Sequence, residues 1–466
     1  MLSAKSKSKA QGKTGDISFF FNPKSIAIIG SSPTPGKISY VILESLRKIG
    51  FKGEIYPVNP KYKSIDDLKC YNSVSEIGKN IDLAVIAVPA PLVLDSLKDA
   101  GTKVKGAIII SAGFGEAGKD GRKMEEGIKE IAKETGIRVM GPNCMGIYDT
   151  ISLVDTFFVP AERMGRPGKG GISILSQSGS FASIIMDEMA SEGIGVSRVV
   201  SYCNRVDVGE SDCLEFLAGD DNTKAVAIYM ESVDDGRRFV EAAAHCAKKK
   251  PVLAIKVGKR EAGISAAKSH TGAMTGRYEI YRAAFRKAGI IEIDGYEGLK
   301  DACRVLNIFK PVKGRKVLII TDGGGIGVRI SDACEEMGLD VATLPGPALK
   351  TLAAKFPAYY SIINPIDLTG SVTEEEFVTA LEEGLKGSYD MAIVALLWGP
   401  PKLTEGLVHR LAEAIRRLKK PVLICSPGGT FTKRMNRAFE EKGIPVFTSP
   451  ESVTRAAAVL TKAGHK

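Results

Sequence analysis

One histidine of this chain stands in a sequence suited to covalent chemistry. His270 lies in the small-residue stretch Ser269-His270-Thr271-Gly272-Ala273, and Glu231 stands upstream of it at the end of an apolar run. A carboxylate that accepts a hydrogen bond from one imidazole nitrogen fixes the tautomer, so that the other nitrogen can act as a nucleophile. By sequence alone, Glu231 is equally typical of an acid that caps the following helix. The remaining histidines, which lie in Lys/Arg-rich stretches typical of the protein surface, are His245, His409 and His465.

Two turns between a strand and a helix are suited to binding a phosphoryl group. In each, small residues follow an apolar run and precede an amphipathic stretch, so that the first backbone N–H groups of a helix point at an anion. Both turns could serve one phosphoryl group, or they could be unrelated. A serine-hydrolase turn fits less well, because no glycine stands two residues before Ser178. The residues of the two turns are Ser178, Gly179 and Ser180 in the first and Gly323, Gly324 and Gly325 in the second.

The N-terminal part of the chain contains several loops that should meet along one edge of a sheet. A Gly/Ser/Pro turn at 30–37 follows the first strand, and later strands end in loops at 88–92, 111–116 and 141–146. Open α/β sheets bind ligands at the carboxyl ends of their strands, so these loops outline a crevice. The glycine spacing of a dinucleotide fingerprint is absent, and no carboxylate follows Val58 to hold a ribose. Nicotinamide binding is therefore disfavoured, and a different nucleotide-bearing ligand stays open.

Short β-branched runs alternate with amphipathic stretches along the whole chain. This alternation predicts parallel sheets with crossover helices, and hence an α/β fold of three consecutive domains. We predict a disordered basic tail at 1–18, followed by domains at 19–155, 156–310 and 311–466, and a helix at Arg277–Ala288. The predicted strands are Ser25–Gly30, Gly53–Val58, Leu83–Val88, Gly106–Ser111, Arg138–Gly141, Ile172–Leu175, Val196–Tyr202, Ala225–Met230, Val252–Val257, Lys316–Thr321, Leu339–Thr343, Met391–Leu397, Pro421–Cys425 and Pro445–Phe447.

The composition restricts the classes of partner. The chain has 466 residues and a net charge of +10, but its lysines and arginines are scattered and lack the interleaved aromatics of a nucleic-acid site. We therefore expect anionic small molecules rather than nucleic acid. The eight cysteines form no CxxC pair, which predicts buried thiols, and the sequence contains no recognisable signal peptide or membrane span. A cytoplasmic protein that binds no membrane and holds no metal of its own is expected.

Taken together, these motifs resemble the alpha subunit of ADP-forming acyl-CoA synthetases (acetate:CoA ligase, ADP-forming), which are relatives of succinyl-CoA synthetase. The resemblance covers nearly the whole chain beyond the basic tail. It implies a Rossmann-like CoA-binding domain followed by two flavodoxin-like ligase domains. It also implies that His270 is phosphorylated, that Glu231 orients it, and that both small-residue turns face phosphate. The CoA contacts that it implies are Gly30, Ser31, Ser32, Pro33, Gly36, Lys37, Asn59, Lys61, Val88, Pro89, Ala90, Ser111, Ala112, Gly113, Asn143 and Cys144.

The resemblance further implies the reaction acyl-CoA + ADP + phosphate ⇌ carboxylic acid + ATP + CoA, through an acyl phosphate and a phosphohistidine. ADP or ATP, with Mg²⁺, would bind mainly on an ATP-grasp beta subunit in an α2β2 heterotetramer. Consistent with this, the chain has no Gly-rich loop ending in Gly-Lys-Ser/Thr. The sequence Asn143-Cys144-Met145-Gly146 departs from the Asn-Cys-Pro-Gly type of succinyl-CoA synthetase, so the preferred acid stays open.

Two rival functions differ in the residues that they need. A noncatalytic CoA-binding regulatory protein would use the first domain but neither Glu231 nor His270. An acyl-CoA lyase related to ATP-citrate lyase would share the phosphohistidine, but it should carry a citrate-synthase-like region, which this sequence lacks.

Overall fold

Three mostly parallel sheets follow one another along the chain, with five, seven and five strands. They are seen in a computed structural model that describes residues 15–265 and 276–465. Most of the central strands are buried along their whole length, which is why they read in the sequence as continuous apolar runs. The predicted α/β fold class is confirmed.

The first domain is a five-stranded parallel sheet with its connecting helices. Its elements are α1 (Ser18–Phe21), β1 (Ser25–Ile29), α2 (Ile38–Ile49), β2 (Glu54–Val58), β3 (Ser64–Ile65), β4 (Leu68–Lys69), β5 (Ile81–Ile86), α3 (Val93–Ala100), β6 (Val104–Ile109), α4 (Lys119–Thr135) and β7 (Arg138–Met140). The strand order is β2-β1-β5-β6-β7, and β3 and β4 form a separate antiparallel pair. Because the strands of the main sheet are parallel, the loops that follow them share its carboxyl edge.

The second domain is built on the seven-stranded sheet. Its elements are β8 (Gly146–Asp149), β9 (Val154–Asp155), β10 (Lys169–Ser176), α5 (Gly179–Ser191), β11 (Val196–Ser201), α6 (Glu210–Ala218), β12 (Ala225–Met230), α7 (Gly236–Ala247), β13 (Val252–Lys256), α8 (Tyr278–Ala288), β14 (Ile291–Glu292) and α9 (Gly295–Ile308). The strand order is β14-β13-β12-β10-β11-β8-β9, in which β8 and β9 run antiparallel. The helix predicted at Arg277–Ala288 is confirmed as α8.

The strands β8 and β9 lie before the predicted domain boundary at 155, yet they pair with the second sheet. Ile147 lies opposite Val200 of β11, and Asp149 lies opposite Arg198. The two short strands could not be recognised in the sequence because each is only a few residues long. They make the chain cross from the first sheet to the second through the loop 141–145.

The third domain is again a five-stranded parallel sheet. Its elements are β15 (Val317–Thr321), α10 (Gly324–Glu336), α11 (Gly346–Lys355), β16 (Ile366–Asp367), α12 (Glu374–Leu385), β17 (Met391–Ala395), α13 (Gly406–Leu418), β18 (Val422–Cys425), α14 (Thr430–Glu441), β19 (Val446–Phe447) and α15 (Pro450–Gly464). The strand order is β16-β15-β17-β18-β19. The last helix, α15, packs on α9, so the second and third domains share one apolar core.

The predicted strand Leu339–Thr343 is wrong. Only Asp340 makes an isolated bridge, to Lys316, and β16 is the strand that pairs with β15 at this edge. The side chain of Asn364 explains the difference. Its Oδ1 accepts from Ile319 N (2.9 Å), while its Nδ2 donates to Val317 O (2.8 Å) and Ala342 O (2.9 Å). This amide therefore takes up main-chain groups of β15 that a strand at 339–343 would have bound.

No helix within residues 15–265 and 276–465 is long and apolar enough to cross a membrane.

Candidate active site in the cleft between the first two domains

A cleft of about 720 Å³ lies between the loops at the carboxyl ends of the first two sheets. The loops that follow β6, β7, β10 and β11 contribute its walls, which is where open α/β sheets bind ligands. The cleft thereby joins the predicted crevice of the first domain to the first predicted phosphate turn. The residues predicted for CoA or phosphate that line it are Ser111, Ala112, Asn143, Cys144, Ser178, Gly179 and Ser180.

The wall from the first domain is fixed by hydrogen bonds between its loops. Ser111 Oγ donates to Val88 O, and Asn143 N donates to Ser111 O (2.9 Å). A Cβ placed on Gly113 would lie 3.3 Å from Ala90 Cβ, so these two loops are in contact. Asn143 has a φ of 58°, a left-handed conformation that few residues other than glycine adopt and that clusters at functional sites. The loops after β5, β6 and β7 therefore form one continuous surface.

The first turn of the chain lies on the same edge of the first sheet. Gly30 N donates to Val58 O (2.9 Å), and Asn59 Nδ2 donates to Ser31 O (2.7 Å), so residues separated in sequence meet here. Gly30 has a φ of 90°, and a Cβ at this position would lie 2.6 Å from Ala87 O. Only glycine therefore fits this turn without displacing the main chain.

Several residues predicted to contact CoA are not in the lining of the cleft. Ile38, the first residue of α2, does line it, so the turn at 30–37 leads directly to its wall. The predicted CoA residues outside the lining are Gly30, Ser31, Ser32, Pro33, Gly36, Lys37, Asn59, Lys61, Val88, Pro89, Ala90 and Gly113. Their contact with CoA stays a prediction.

The phosphate turn of the second domain has the geometry of an anion-binding helix start. Ser178 is the N-cap of α5, and its Oγ accepts from Phe181 N (3.3 Å). The backbone N–H groups of Gly179 and Ser180 are then the first of the helix, where the helix dipole is positive. A Cβ on Gly179 would lie 3.0 Å from Met145 Cγ, so the turn is packed against the loop that follows β7.

Glu231 lies directly behind this turn. It is the first residue after β12, and 5% of its surface is exposed. Its backbone N–H donates to Oε1 of Gln177 (2.8 Å), the residue that precedes Ser178 and that lines the cleft. The alternative that Glu231 caps the following helix is wrong, because Asp235 is the N-cap of α7 and accepts from Arg238 N (3.0 Å).

Lys256 is a buried cation next to Glu231 that the sequence analysis missed. It is the last residue of β13 and 1% exposed, and its Nζ donates to Glu231 O (2.8 Å) and to Val257 O. The ammonium also lies 4.5 Å from the centre of the Tyr281 ring. Burial lowers the pKa of Lys256 to about 8, although the negative charge of Glu231 acts in the opposite direction. An apolar run ending in lysine was the only sequence signal.

The loop after β11 contributes two further residues that the sequence analysis did not select. Asn204 donates through Nδ2 to the carboxylates of Glu116 and Glu125, both at 2.8 Å. Arg205 forms a two-pronged ion pair with Asp234, with N–O distances of 3.0 and 2.6 Å, and its side chain is 6% exposed. Arg205 also has a φ of 43°. Strained backbone beside a cleft was not visible in the sequence.

Hydrogen bonds lower the pKa of the Glu116 carboxyl group, which lies in the loop after β6. Burial acts to raise its pKa, but hydrogen bonds from the Asn204 amide and from the N–H groups of Gly113 and Phe114 outweigh burial and lower it. Because Asn204 belongs to the second domain, this carboxylate links the two walls of the cleft.

The third domain repeats the strand-to-helix turn, with Gly323 as the N-cap of α10. Thr321 Oγ1 accepts from Gly323 N (3.0 Å), and a Cβ on Gly324 would lie 2.7 Å from Asp367 Oδ2. Gly323, Gly324 and Gly325 are not among the residues that line the 720 Å³ cleft. That the two turns meet at one phosphoryl group stays a prediction.

His270 lies outside the described residues, in the segment that connects β13 to α8. The strand from which this segment starts is described: β13 pairs with β12, and Met230 of β12 lies opposite Lys256. The segment that carries His270 therefore begins beside Glu231. Within the described part of the chain, no group of three or more His, Cys, Asp or Glu side chains is arranged to hold a metal ion.

Comparison with known proteins identifies the family. Residues 24–150 match the model of a CoA binding domain, residues 169–306 that of a succinyl-CoA ligase like flavodoxin domain, and residues 317–464 that of a Ligase-CoA domain. The chain is 39% identical over 453 residues to Acetate–CoA ligase (ADP-forming) I subunit alpha of Pyrococcus furiosus, which covers 95% of this chain and 96% of that protein. The chain belongs to the ADP-forming acetate–CoA ligase family.

Other members of the family agree in sequence and in structure. Acetate–CoA ligase (ADP-forming) I of Archaeoglobus fulgidus is 40% identical over 94% of this chain, and the chain spans 62% of the length of that protein. The structure resembles that of the dinucleotide forming acetyl-coenzyme A synthetase 1 of Candidatus Korarchaeum cryptofilum in complex with phosphate and ADP. The two share a TM-score of 0.91 and 32% identity over 96% of this chain and 97% of the other.

Proposed function

We propose that this chain is the alpha subunit of an ADP-forming acyl-CoA synthetase. With a partner subunit it would catalyse acyl-CoA + ADP + phosphate ⇌ carboxylic acid + ATP + CoA. One observation carries the proposal: the cleft joins the crevice of the CoA binding domain to the start of α5, with Glu231 directly behind. A noncatalytic CoA-binding protein would need the crevice alone.

The cleft suits the first chemical step. Inorganic phosphate would bind at the N–H groups of Gly179 and Ser180, where the positive end of α5 favours an anion. A phosphate oxygen would then attack the thioester carbonyl and expel the CoA thiolate, which gives an acyl phosphate. The protein mainly orients the two reactants and stabilises the negative charge in this step.

His270 and Glu231 would perform the second step. One imidazole nitrogen of His270 would attack the phosphorus of the acyl phosphate, which releases the carboxylate and forms phosphohistidine. Glu231 would accept a hydrogen bond from the other ring nitrogen, so that the attacking nitrogen is the unprotonated one. Transfer from phosphohistidine to ADP then gives ATP and regenerates the neutral histidine.

CoA would bind along the carboxyl edge of the first sheet. The turn at Gly30 and the loops at Ser111 and Asn143 lie on that edge, and the last two line the cleft. The thioester end would then point toward Gly179, while the nucleotide end would extend toward the turn at 30–37. The proposed cofactor contacts are those that the sequence analysis gives for CoA.

The nucleotide would bind mainly on a separate subunit. We propose an ATP-grasp beta subunit that holds ADP or ATP with Mg²⁺, in an α2β2 heterotetramer in the cytoplasm. The subunit name of the Pyrococcus furiosus relative supports the presence of a separate partner subunit. The turn at Gly323 to Gly325 would then face phosphate during transfer.

The test follows the phosphoryl group. The chain and its partner subunit are incubated with acyl-CoA and ³²P-labelled phosphate, and the labelled peptide is mapped. We expect acid-labile label on His270 and no label in His270→Ala. Addition of ADP to the labelled wild type should give ATP. ATP synthesis by the isolated chain would refute the need for a partner, and label on another residue would refute the role of His270.

A further inference from the structure

Gln177 connects the phosphate turn to the residue behind it. It follows the last residue of β10, and its backbone N–H donates to Tyr229 O (3.1 Å), so it continues the pairing of β10 with β12 for one more residue. Its side chain is therefore directed along the end of β12, over Glu231 and Ser232. Gln177 is 6% exposed and lines the cleft, yet neither the family resemblance nor the chemistry above gives it a role.

The amide of Gln177 is fully engaged by the loop that carries Glu231. Its Oε1 accepts from Glu231 N (2.8 Å) and from Ser232 N (3.0 Å), and its Nε2 donates to Ser232 Oγ (3.1 Å). Two N–H donors fix the orientation of the amide, because the amide nitrogen in the same place would face two donors. The contact is thus specific for a side chain with an acceptor at this position.

The other main-chain group of Glu231 is held from the neighbouring strand. Its carbonyl accepts from Lys256 Nζ (2.8 Å), so the N–H is bound from β10 and the C=O from β13. Each of these hydrogen bonds is buried, where a lost partner costs more than in water. The side chains of Gln177 and Lys256 therefore fix the main chain of Glu231. They also set the direction in which the Glu231 side chain leaves the main chain.

Ser232 is held in the same way from the loop after β11. Arg205 donates through Nη1 to Ser232 O (2.9 Å) and through Nη2 to Ser232 Oγ (3.0 Å), while Asp234 binds the same guanidinium. Ser232 Oγ therefore accepts from Arg205 and from Gln177, and Gln177 is the member of this network that stands next to the phosphate turn. A shift of the turn would reach Glu231 through the Gln177 side chain as well as through the main-chain bond of Gln177 to Tyr229.

We propose that Gln177 is a positioning residue for Glu231. It holds the main chain of Glu231 in a fixed place relative to the phosphate turn, and thereby places the carboxylate to which the proposed function gives the role of orienting His270. The proposal rests on the function proposed above for Glu231 and His270.

Two variants of Gln177 separate positioning from general stability. Gln177→Met keeps the size but removes both the acceptor and the donor. Gln177→Glu keeps the acceptor for the two N–H groups and can accept from the Ser232 hydroxyl, but it adds a negative charge near Glu231. The matched control is Asn307→Met. Asn307 Oδ1 accepts from Gly171 N (2.7 Å) and its Nδ2 donates to Gly195 O (3.0 Å), so it makes similar side-chain to main-chain bonds elsewhere in the same domain.

Single-turnover labelling of His270 from acyl-CoA and ³²P-phosphate measures the first effect, with the beta subunit present. Gln177→Met should slow labelling by about 10- to 100-fold at saturating substrates, while CoA affinity changes by less than about threefold. Gln177→Glu should regain most of the rate at high pH, with the acid limb of its pH profile moved to higher pH, because a nearby negative charge raises the pKa of Glu231. Asn307→Met should label at the wild-type rate.

Amide hydrogen exchange supplies a readout that does not depend on catalysis. The amides of Glu231 and Ser232 should exchange at least about tenfold faster in Gln177→Met than in the wild type or in Asn307→Met. The inference would be overturned if the wild type labels His270 and Gln177→Met shows the same labelling rate and the same amide exchange. It would also be overturned if Asn307→Met slowed labelling as much as Gln177→Met does. If the wild-type assembly itself fails to label His270, the proposed function fails, and unchanged exchange would still overturn the positioning role separately.

Discussion

The buried ammonium of Lys256 makes the stability of this protein depend on pH in a predictable direction. Its Nζ is bound by two backbone carbonyls and an aromatic ring, and burial lowers its pKa from 10.5 to about 8. Between these two values the unfolded chain binds more protons at this lysine than the folded chain does. The free energy of unfolding therefore rises with pH across that window through this residue.

The size of the effect follows from the two pKa values. One pKa unit corresponds to about 1.4 kcal/mol, so the protonated lysine costs the folded state about 3 kcal/mol at pH 7. At pH 9.5 most of the lysine in the folded state is neutral, and the remaining cost is about 1.4 kcal/mol. We expect the free energy of unfolding to gain about 2 kcal/mol between pH 7 and pH 9.5 from Lys256 alone.

Denaturant unfolding of the wild type and of Lys256→Met at several pH values measures this gain. Because the variant also loses hydrogen bonds to Glu231 O and Val257 O, the absolute stabilities are not compared. The difference in slope between the two proteins is the quantity of interest, and the variant should lack the rise. Lys259→Met is the control: hydrogen bonds to Glu292 and Asp294 overcome burial and raise the pKa of Lys259, so it stays protonated throughout this range. Equal slopes for wild type and Lys256→Met would refute the reasoning.

Two further predictions concern the candidate site itself. Glu231→Gln keeps the size of the side chain and should fold, but it should slow phosphorylation of His270 by about 10- to 1,000-fold in single-turnover assays, and unaltered kinetics would remove Glu231 from the site. Gly30→Ala combines a φ of 90° with a Cβ 2.6 Å from Ala87 O, so we expect it to lower stability by more than the roughly 1–2 kcal/mol of a left-handed alanine and to weaken CoA binding in calorimetry. Gly36→Ala has a similar φ of 82° but no atom within 4 Å of the new Cβ, and an equal loss in both variants would contradict the role given to the close contact.

The buried parallel strands could be predicted from the sequence. The strand order could not be predicted where a side chain takes the place of main-chain pairing. Continuous apolar runs such as Val317–Thr321 identify central strands because both faces of a parallel sheet are covered. The run Leu339–Thr343 is also largely apolar, although it contains Asp340, but its place beside β15 is taken by the amide of Asn364 and by the two-residue strand β16. A single asparagine that binds three main-chain groups leaves no periodic signal.

In the candidate site too, some residues could be predicted from the sequence and others could not. Turns of small residues after apolar runs predicted Gly179 and Ser180, because a helix start needs no particular partner to be recognised. The sequence did not predict a role for Gln177, Arg205 or Lys256, because their contacts join strands and loops that are distant in sequence. Gln177 stood in the same motif as Ser178, and only the fold brings its amide to the end of β12.

The way in which the first two domains are joined bears on how a phosphoryl group could leave the cleft. Arg138 of β7 pairs with Asp207 (2.8 Å) and Asp212 (3.0 Å), and Val208 N donates to Val139 O (2.9 Å), so the loop after β11 is tied to the edge of the first sheet. The loop 141–145, through which the chain crosses between the sheets, contributes Asn143, Cys144 and Met145 to the lining of the cleft. Opening the cleft would break these bonds together. Under the proposed function, His270 rather than a movement of these walls would carry the phosphoryl group to the partner. The segment that carries His270 starts at the end of β13, beside Glu231.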